Sequence, residues 1–159
     1  MNIGDKIFYS MHGAGYIKDI SKKEIDNECE KVYVIEIPCE QNLHIMVSEK
    51  NINRNSIRNL VDKETLENVY DYLNSNDFPM PKKWNERYKE NISRLKSLNI
   101  YDVAYVLKGL AVRNGKKNLS IKELFMFNLA KKILVSEFVM VSGFSESKIN
   151  KIIDFSMQY

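Results

Sequence analysis

The sequence contains few of the features that would indicate a metal site or a membrane protein. Its two cysteines, Cys29 and Cys39, form no C-x-x-C pair, and their spacing to His12 and His44 matches no zinc-binding pattern. No apolar run approaches the roughly 20 residues that a membrane-spanning helix needs, and the first residues lack the pattern of a signal peptide. We therefore expect a cytoplasmic protein with free thiols, no bound metal and no membrane partner.

Motifs for catalysis are also lacking. The segment Gly13-Ala14-Gly15 precedes neither a helix nor a Gly-Lys-Ser/Thr sequence, so it is predicted to be a turn with a glycine at positive φ rather than a phosphate-binding loop. A Cys–His nucleophile would need a third orienting group, which nothing in the sequence marks. The carboxylates form no distinctive pair. The sequence predicts a protein that is not an enzyme and has no cofactor.

Charge is distributed unevenly along the chain. Residues 1–79 contain nine Lys and Arg against fourteen Asp and Glu, whereas residues 80–120 contain ten against three, a net charge of +7. The whole chain has a net charge of only +3. A local excess of this size indicates a surface that faces a polyanion, although a charged run is more often a solvated face.

Residues 1–52 are predicted to form a small antiparallel β-module. Segments rich in β-branched and aromatic residues alternate there with turn residues, which predicts three or four short strands in a strongly bent sheet or barrel. Such a sheet has edges, and an edge strand can pair with a strand of a partner. The predicted strands are Lys6–Tyr9, Tyr16–Ile20, Val32–Ile37 and Leu43–Val47.

Residues 62–159 are predicted to form about five helices, so the fold class is α+β. Apolar residues recur there with helical spacing, and residues 53–61 are the predicted linker. Asp62 is the expected N-cap of the first helix, and Ser120 with Glu123 forms the capping-box pattern at the start of the fourth. The other helices are expected at 84–97, after Asn99 and from Ser145.

The only tryptophan, Trp84, lies between a proline-containing segment and a basic helix. An aromatic ring at the start of such a helix is a candidate wedge between DNA base steps, with nearby cations on the phosphates. The alternative is core packing, because Trp84 lies four residues before Tyr88 and extends an apolar stripe. Both interpretations remain open from the residues alone. The basic residues of this segment are Lys82, Lys83, Arg87, Lys89 and Arg94.

Four segments resemble the CarD/CdnL family of bacterial transcription regulators, in the right order and over nearly the whole chain. They are Ile3–Gly15, Trp84–Asn91, Asn118–Glu123 and Leu129–Leu134. The N-terminal part alone is also similar to the polymerase-binding module of transcription-repair coupling factors. The helical domain with its tryptophan favours the CarD/CdnL family over the coupling factors.

The resemblance implies a Tudor/SH3-like N-terminal module that pairs an edge strand with the β subunit of RNA polymerase. The positions implied on this side are Lys23, Ile45, Met46 and Val47; Met46 stands where some relatives carry arginine.

The resemblance also implies a helical domain that contacts promoter DNA at the upstream edge of the transcription bubble. Trp84 matches the wedge, and the basic positions around it are Lys83, Arg87 and Lys89. Glu86 departs from the pattern, because some relatives carry a basic residue there, and this puts the strength of DNA binding in question.

The function expected from sequence is that of a transcription regulator that binds RNA polymerase and stabilises the open promoter complex. DNA binding is expected to be weak, without sequence specificity, and in the minor groove. The protein is expected to be a monomer associated with the nucleoid in the cytoplasm. One alternative is a stand-alone RNA- or ribosome-binding SH3-like protein, in which Trp84 stacks on an unpaired base. Another is a protein–protein adaptor in which Trp84 is buried.

Overall fold

The protein, studied as a computed structural model that describes residues 1–52, 56–75 and 78–158, consists of a five-stranded antiparallel sheet followed by five helices. The predicted α+β class is confirmed. The strands are β1 Lys6–Tyr9, β2 Gly13–Ile25, β3 Glu28–Ile37, β4 Leu43–Ser48 and β5 Ile57–Asn59. The helices are α1 Lys63–Leu73, α2 Trp84–Lys96, α3 Ile100–Lys116, α4 Ile121–Ser142 and α5 Glu146–Ser156, with a short 3-10 turn at Pro38–Glu40.

The strands lie in the order β4-β3-β2-β1-β5, so β4 and β5 form the two edges of the sheet. A two-residue turn joins β2 to β3, and both of its residues, Asp26 and Asn27, have positive φ, as the twist of a tight hairpin favours. A register shift between Ile17 and Asp19 bends β2. Strand β5 lies inside the segment 53–61 that the sequence predicts as a linker, of which residues 53–55 lie outside the described part.

Helix starts follow the side chains that the sequence indicates. The Asp62 carboxylate accepts a hydrogen bond from the Thr65 amide at 2.7 Å, which satisfies one of the free amides in the first turn of α1. Ser120 and Glu123 form the predicted capping box of α4. Asn99 and Ser145 cap α3 and α5 in the same way. These contacts fix where α1, α3, α4 and α5 begin, whereas α2 begins without a hydrogen bond from the side chain of its N-cap residue, Lys83.

Helices α3 and α4 form the centre of the larger core. Leu107 and Leu110 of α3 and Met126 and Leu134 of α4 are all fully buried. Phe8 of β1 joins this helical core, whereas its neighbour Ile7 points into a separate core inside the sheet. Alternate residues of one strand therefore serve both modules.

The sheet meets α4 at very close range. The buried Ala14 amide donates a hydrogen bond to Ser136 Oγ at 2.8 Å. Gly13 has φ +99°, and a Cβ at this position would lie 2.2 Å from Ser136 Oγ. Glycine is therefore required at position 13 both by the backbone conformation and by the approach of the helix.

A buried ion pair joins β5 to α4. Arg58 Nη1 and Nη2 donate to the two carboxylate oxygens of Glu137 at 2.6 and 2.8 Å, and the Glu137 side chain is fully buried. The Val61 amide adds a third hydrogen bond to the same carboxylate at 3.0 Å. The Arg58 guanidinium also lies 3.9 Å from the centroid of the Phe8 ring. A bidentate pair of this kind fixes orientation as well as distance.

Replacing Glu137 by alanine is expected to lower the free energy of unfolding by about 3–5 kcal/mol, because Arg58 loses its bidentate carboxylate partner and stays partly buried. Urea unfolding followed by circular dichroism measures this loss. The double variant Arg58→Met, Glu137→Leu serves as the control and should recover much of it, since an apolar pair leaves no charge uncompensated. An exposed ion pair contributes less than about 1 kcal/mol. A loss of stability that small for Glu137→Ala would show that the pair does not hold β5 against α4.

Candidate nucleic-acid interface

Trp84 begins α2 with its side chain partly in solvent. Its residue surface is 38% exposed, and its ring stacks on that of Tyr88, with centroids 5.3 Å apart and planes 14° from parallel. The stacking follows from the four-residue spacing on one face of the helix. Tyr88 packs against the core, so one face of the indole is supported by protein. The indole is thus held in a fixed orientation at the surface rather than buried.

Lys122 of α4 is a cation beside this aromatic stack. Its Nζ lies 5.5 Å from the centroid of the Trp84 ring and 5.4 Å from that of Tyr88, within the range of cation–π attraction. The sequence pattern around Trp84 does not indicate this residue, because it lies 38 positions away along the chain. The capping box places Lys122 in the first turn of α4, next to Glu123. The structure adds that an arginine of α2 binds Glu123, which brings Lys122 close to Trp84.

Arg87 is that arginine, and it is buried. Only 2% of its surface is exposed, and its Nε and Nη2 donate to Glu123 Oε1 at 2.8 and 2.7 Å. Its Nη1 donates to the carbonyl oxygens of Pro81 and Lys82. The expectation that Arg87 contacts DNA is therefore corrected: its guanidinium is used inside the protein, to join the start of α2 to the start of α4.

Glu123 is the carboxylate on which this junction depends. Besides Arg87, it receives Arg113 Nε at 3.1 Å and the Ser120 hydroxyl at 3.0 Å. Burial alone would raise the pKa of Glu123, but the hydrogen bonds from Ser120 and Arg87 outweigh that effect and hold the pKa below its usual value. Glu123 is therefore ionised at neutral pH, as the two arginines require.

Some cations of the basic segment, residues 80–120, are paired with carboxylates, whereas others are exposed to solvent. Arg94 pairs with Glu90 and Asp102 at 2.9 and 2.5 Å, so like Arg87 it adds little to the outer field. Lys83 lies 3.4 Å from Glu86, but its side chain is 81% exposed, and such a surface pair is weak. The exposed lysines of this region are Lys82, Lys83, Lys89, Lys96, Lys116, Lys117 and Lys122.

The structure brings Trp84, Lys83 and Lys122 together at one end of the helical domain. Lys89 is also exposed, one turn further along α2. An exposed ring flanked by flexible cations can stack on or between bases while the ammonium groups approach phosphates.

The other candidate surface is the edge strand β4. Met46 is 55% exposed, and Lys23 Nζ of β2 lies 3.9 Å from its sulfur. Val47 is buried in the core of the sheet, so it can offer a partner only its backbone, and the half-buried Ile45 packs against the same core. In the part of the chain that the structure describes, no strand pairs with the outer edge of β4.

An ionic cluster holds β4 against its neighbours. Glu36 of β3 receives His44 Nε2 at 3.0 Å and also pairs with Lys18 of β2. The hydrogen bond from Lys18 lowers the pKa of Glu36 to about 2. A carboxylate that stays ionised over the whole physiological range keeps these three strands in register.

Cys29 and Cys39 are free thiols. Burial, with the charge of Glu146, raises the pKa of Cys39 to about 11, which leaves it protonated and poorly nucleophilic at neutral pH. Within the described ranges no group of three or more His, Cys, Asp or Glu side chains is placed to hold a metal ion. None of the helices in that part of the chain has the length and apolar character of a membrane span.

Comparison with known families identifies both modules. Residues 1–61 match the CarD-like/TRCF RID domain, and residues 68–154 match the CarD C-terminal domain. Over 147 residues the chain is 31% identical to YdeB of Bacillus subtilis (strain 168), which is named as a candidate transcription factor; the match covers 92% of this chain and 95% of that protein. The two modules define a transcription regulator with a Tudor-like N-terminal module. The chain belongs to the CarD family.

Replacing Arg87 by methionine is expected to destabilise the protein by about 3 kcal/mol, because the buried Glu123 carboxylate loses its closest partner. The matched control is Lys122→Gln, a neighbouring cation at the surface, which should change the free energy of unfolding by less than about 0.5 kcal/mol. Urea unfolding of both variants tests the assignment. Equal stabilities would show that Arg87 is not a structural residue.

Proposed function

We propose that this protein binds the β subunit of RNA polymerase through the edge of its sheet and stabilises the open promoter complex with Trp84. The observation that carries the proposal is the partly exposed indole, stacked on Tyr88 and flanked by Lys122 and Lys83. A regulator of this kind acts as a monomer on the nucleoid, in the cytoplasm, where polymerase and promoter meet.

The indole acts as a wedge at the upstream edge of the transcription bubble. Opening a base step costs a few kcal/mol of stacking, which a ring inserted from the minor groove offsets. Tyr88 supports one face of the indole, so little rotamer freedom remains to be lost on binding. Because the step is already parted in the open complex, the contact is stronger there than with closed duplex. The difference shifts the equilibrium towards the open state.

Phosphate contacts come from the free lysines of this surface. Lys83, Lys89 and Lys122 are exposed, and their ammonium groups can reach phosphates without recognising a base sequence. Arg87 takes no part, because it is buried against Glu123. Glu86 lies beside Lys83 and reduces the local positive charge. Three or so phosphate contacts give weak binding that falls steeply with salt.

The edge of β4 is the surface proposed for polymerase. A strand of the β subunit adds to β4 through main-chain hydrogen bonds, while the exposed side chains Met46 and Lys23 contact it from one face. Ile45 and Val47 face the core of the sheet and keep the backbone of β4 extended for this pairing.

Anchoring compensates for the weak DNA contact. The sheet and the helices share Ser136 and the Arg58–Glu137 pair, so a polymerase bound at β4 carries Trp84 to the promoter in a defined orientation. The second contact then becomes intramolecular, with an effective concentration that can reach the millimolar range.

Replacing Trp84 by alanine is expected to shorten the lifetime of the open complex by about tenfold relative to wild-type protein, which corresponds to about 1.4 kcal/mol. The measurement is the decay of heparin-resistant complexes of the cognate polymerase on a ribosomal promoter. Phe155→Ala, which removes another exposed aromatic ring, is the matched control and should behave as wild type. If Trp84→Ala binds polymerase normally and prolongs the lifetime as well as wild type does, the wedge is refuted.

Reversing charge at the sheet edge is expected to weaken binding to polymerase at least tenfold without unfolding the protein. The variant is Lys23→Glu with Met46→Glu, since both side chains are exposed, and surface changes of this kind cost little stability. Biolayer interferometry against the purified polymerase core measures it. The control is Lys63→Glu in α1, which should bind as wild type. Unchanged binding of the edge variant would place the polymerase contact elsewhere.

A further inference from the structure

Helix α4 carries apolar residues on two opposite faces, and only one face is covered. Ala130, Ile133 and Leu134 are buried in the core, whereas Ile121 is 89% exposed and Phe125 63% exposed. A helix that is apolar all round is normally buried all round. The outward apolar stripe of α4, defined by Ile121, Leu124, Phe125 and Leu129, is therefore a surface without its partner.

The stripe continues into a groove between the two modules. Phe125 and Leu129 line one wall of this groove, and Met11, in the turn between β1 and β2, lines the other. Its volume is about 430 Å³. At its far end Glu40 binds Lys132 and lies 3.4 Å from His12 Nδ1. Because Ile121, Phe125 and Leu129 recur every four residues on one face, the surface suits a helix laid along α4.

The charge around the stripe is positive. Of the seven Lys and Arg from Lys108 to Leu134, Lys108 is buried, and Arg113, Lys131 and Lys132 pair with Glu123, Asp154 and Glu40. The other three carry the exposed positive charge. The single acidic residue of the stretch, Glu123, is buried and also paired with Arg87. No acidic side chain of this fully described stretch is exposed. Lys116, Lys117 and Lys122, near the start of α4, are all exposed. A partner of negative charge is therefore favoured.

We infer that the outward stripe of α4 binds an acidic, amphipathic segment of a partner protein. Apolar side chains of that segment pack on Ile121, Leu124 and Phe125 and enter the groove beside Leu129, while its carboxylates face the lysines near the start of the helix. DNA is the less suitable occupant, because aliphatic side chains offer nothing to phosphates or to base edges. The site goes beyond the proposed polymerase and DNA contacts, and it shares Lys122 with the proposed DNA contact.

The test uses the 159-residue protein and a defined probe. The probe is a fluorescein-labelled 16-residue helical peptide with Leu and Phe at positions i, i+3, i+4 and i+7 and Glu elsewhere; a second peptide has Lys in place of every Glu. Fluorescence anisotropy should give a dissociation constant on the order of 10–100 µM for the acidic peptide, and binding at least tenfold weaker for the basic one.

Phe125→Ser should weaken binding of the acidic peptide at least tenfold. The matched control is Phe144→Ser, which removes an exposed phenylalanine just beyond the other end of α4 and should leave binding unchanged. Equal binding of the two peptides, or no effect of Phe125→Ser, overturns the inference. If Phe125→Ser weakens binding to duplex DNA as much as binding to the acidic peptide, the stripe is assigned to nucleic acid instead. If sedimentation shows a dimer of the wild-type protein and Phe125→Ser abolishes that dimer, the stripe is assigned to a second copy of the chain. Both of these outcomes refute the proposed partner, and neither bears on the Trp84 lifetime experiment.

Discussion

The buried carboxylate of Glu137 determines how the two modules meet. It receives Arg58 from β5 and the amide of Val61, and the preceding residue, Ser136, receives the amide of Ala14. A charge with no exposed surface is stable only where its partners are held in place. The sheet consequently cannot shift along α4 without leaving both charges unpaired. This constraint fixes the orientation of the β-module relative to the helical domain.

A second buried carboxylate, Glu123, has the same role at the other end of α4. Fourteen residues separate it from Glu137, which is about 21 Å along a helix. Glu137 holds the sheet, and Glu123 holds α2 through Arg87. One helix therefore sets the distance between the edge where polymerase is proposed to bind and the indole proposed to contact DNA. The specificity of the fold comes from these two charged contacts as much as from the apolar core around them.

Local patterns predicted most of the fold, because they depend on neighbouring residues. The N-caps Asp62 and Ser120, the helical stripes and the central parts of strands β1 to β4 follow from spacing within a few residues. Gly13–Gly15, predicted to be a turn, instead begins β2, because it pairs with β1. Three-residue β5 was missed, since its pairing with β1 is non-local and its arginine is polar. The same limit applies to the candidate site. Sequence identified Trp84, but it could not separate Arg87, which is neutralised by a residue 36 positions away, from Lys122, which remains exposed.

This separation of structural from free cations decides what the basic segment can do. A net charge of +7 in residues 80–120 indicates strong attraction to DNA only if every cation faces solvent. With Arg87 and Arg94 paired internally, the outward charge consists of lysines, which act as mobile point charges and not as planar readers of bases. In the proposed function, such a surface holds DNA loosely and without sequence preference. The proposed effect on a promoter then depends on where the sheet anchors this surface and on the supported ring of Trp84.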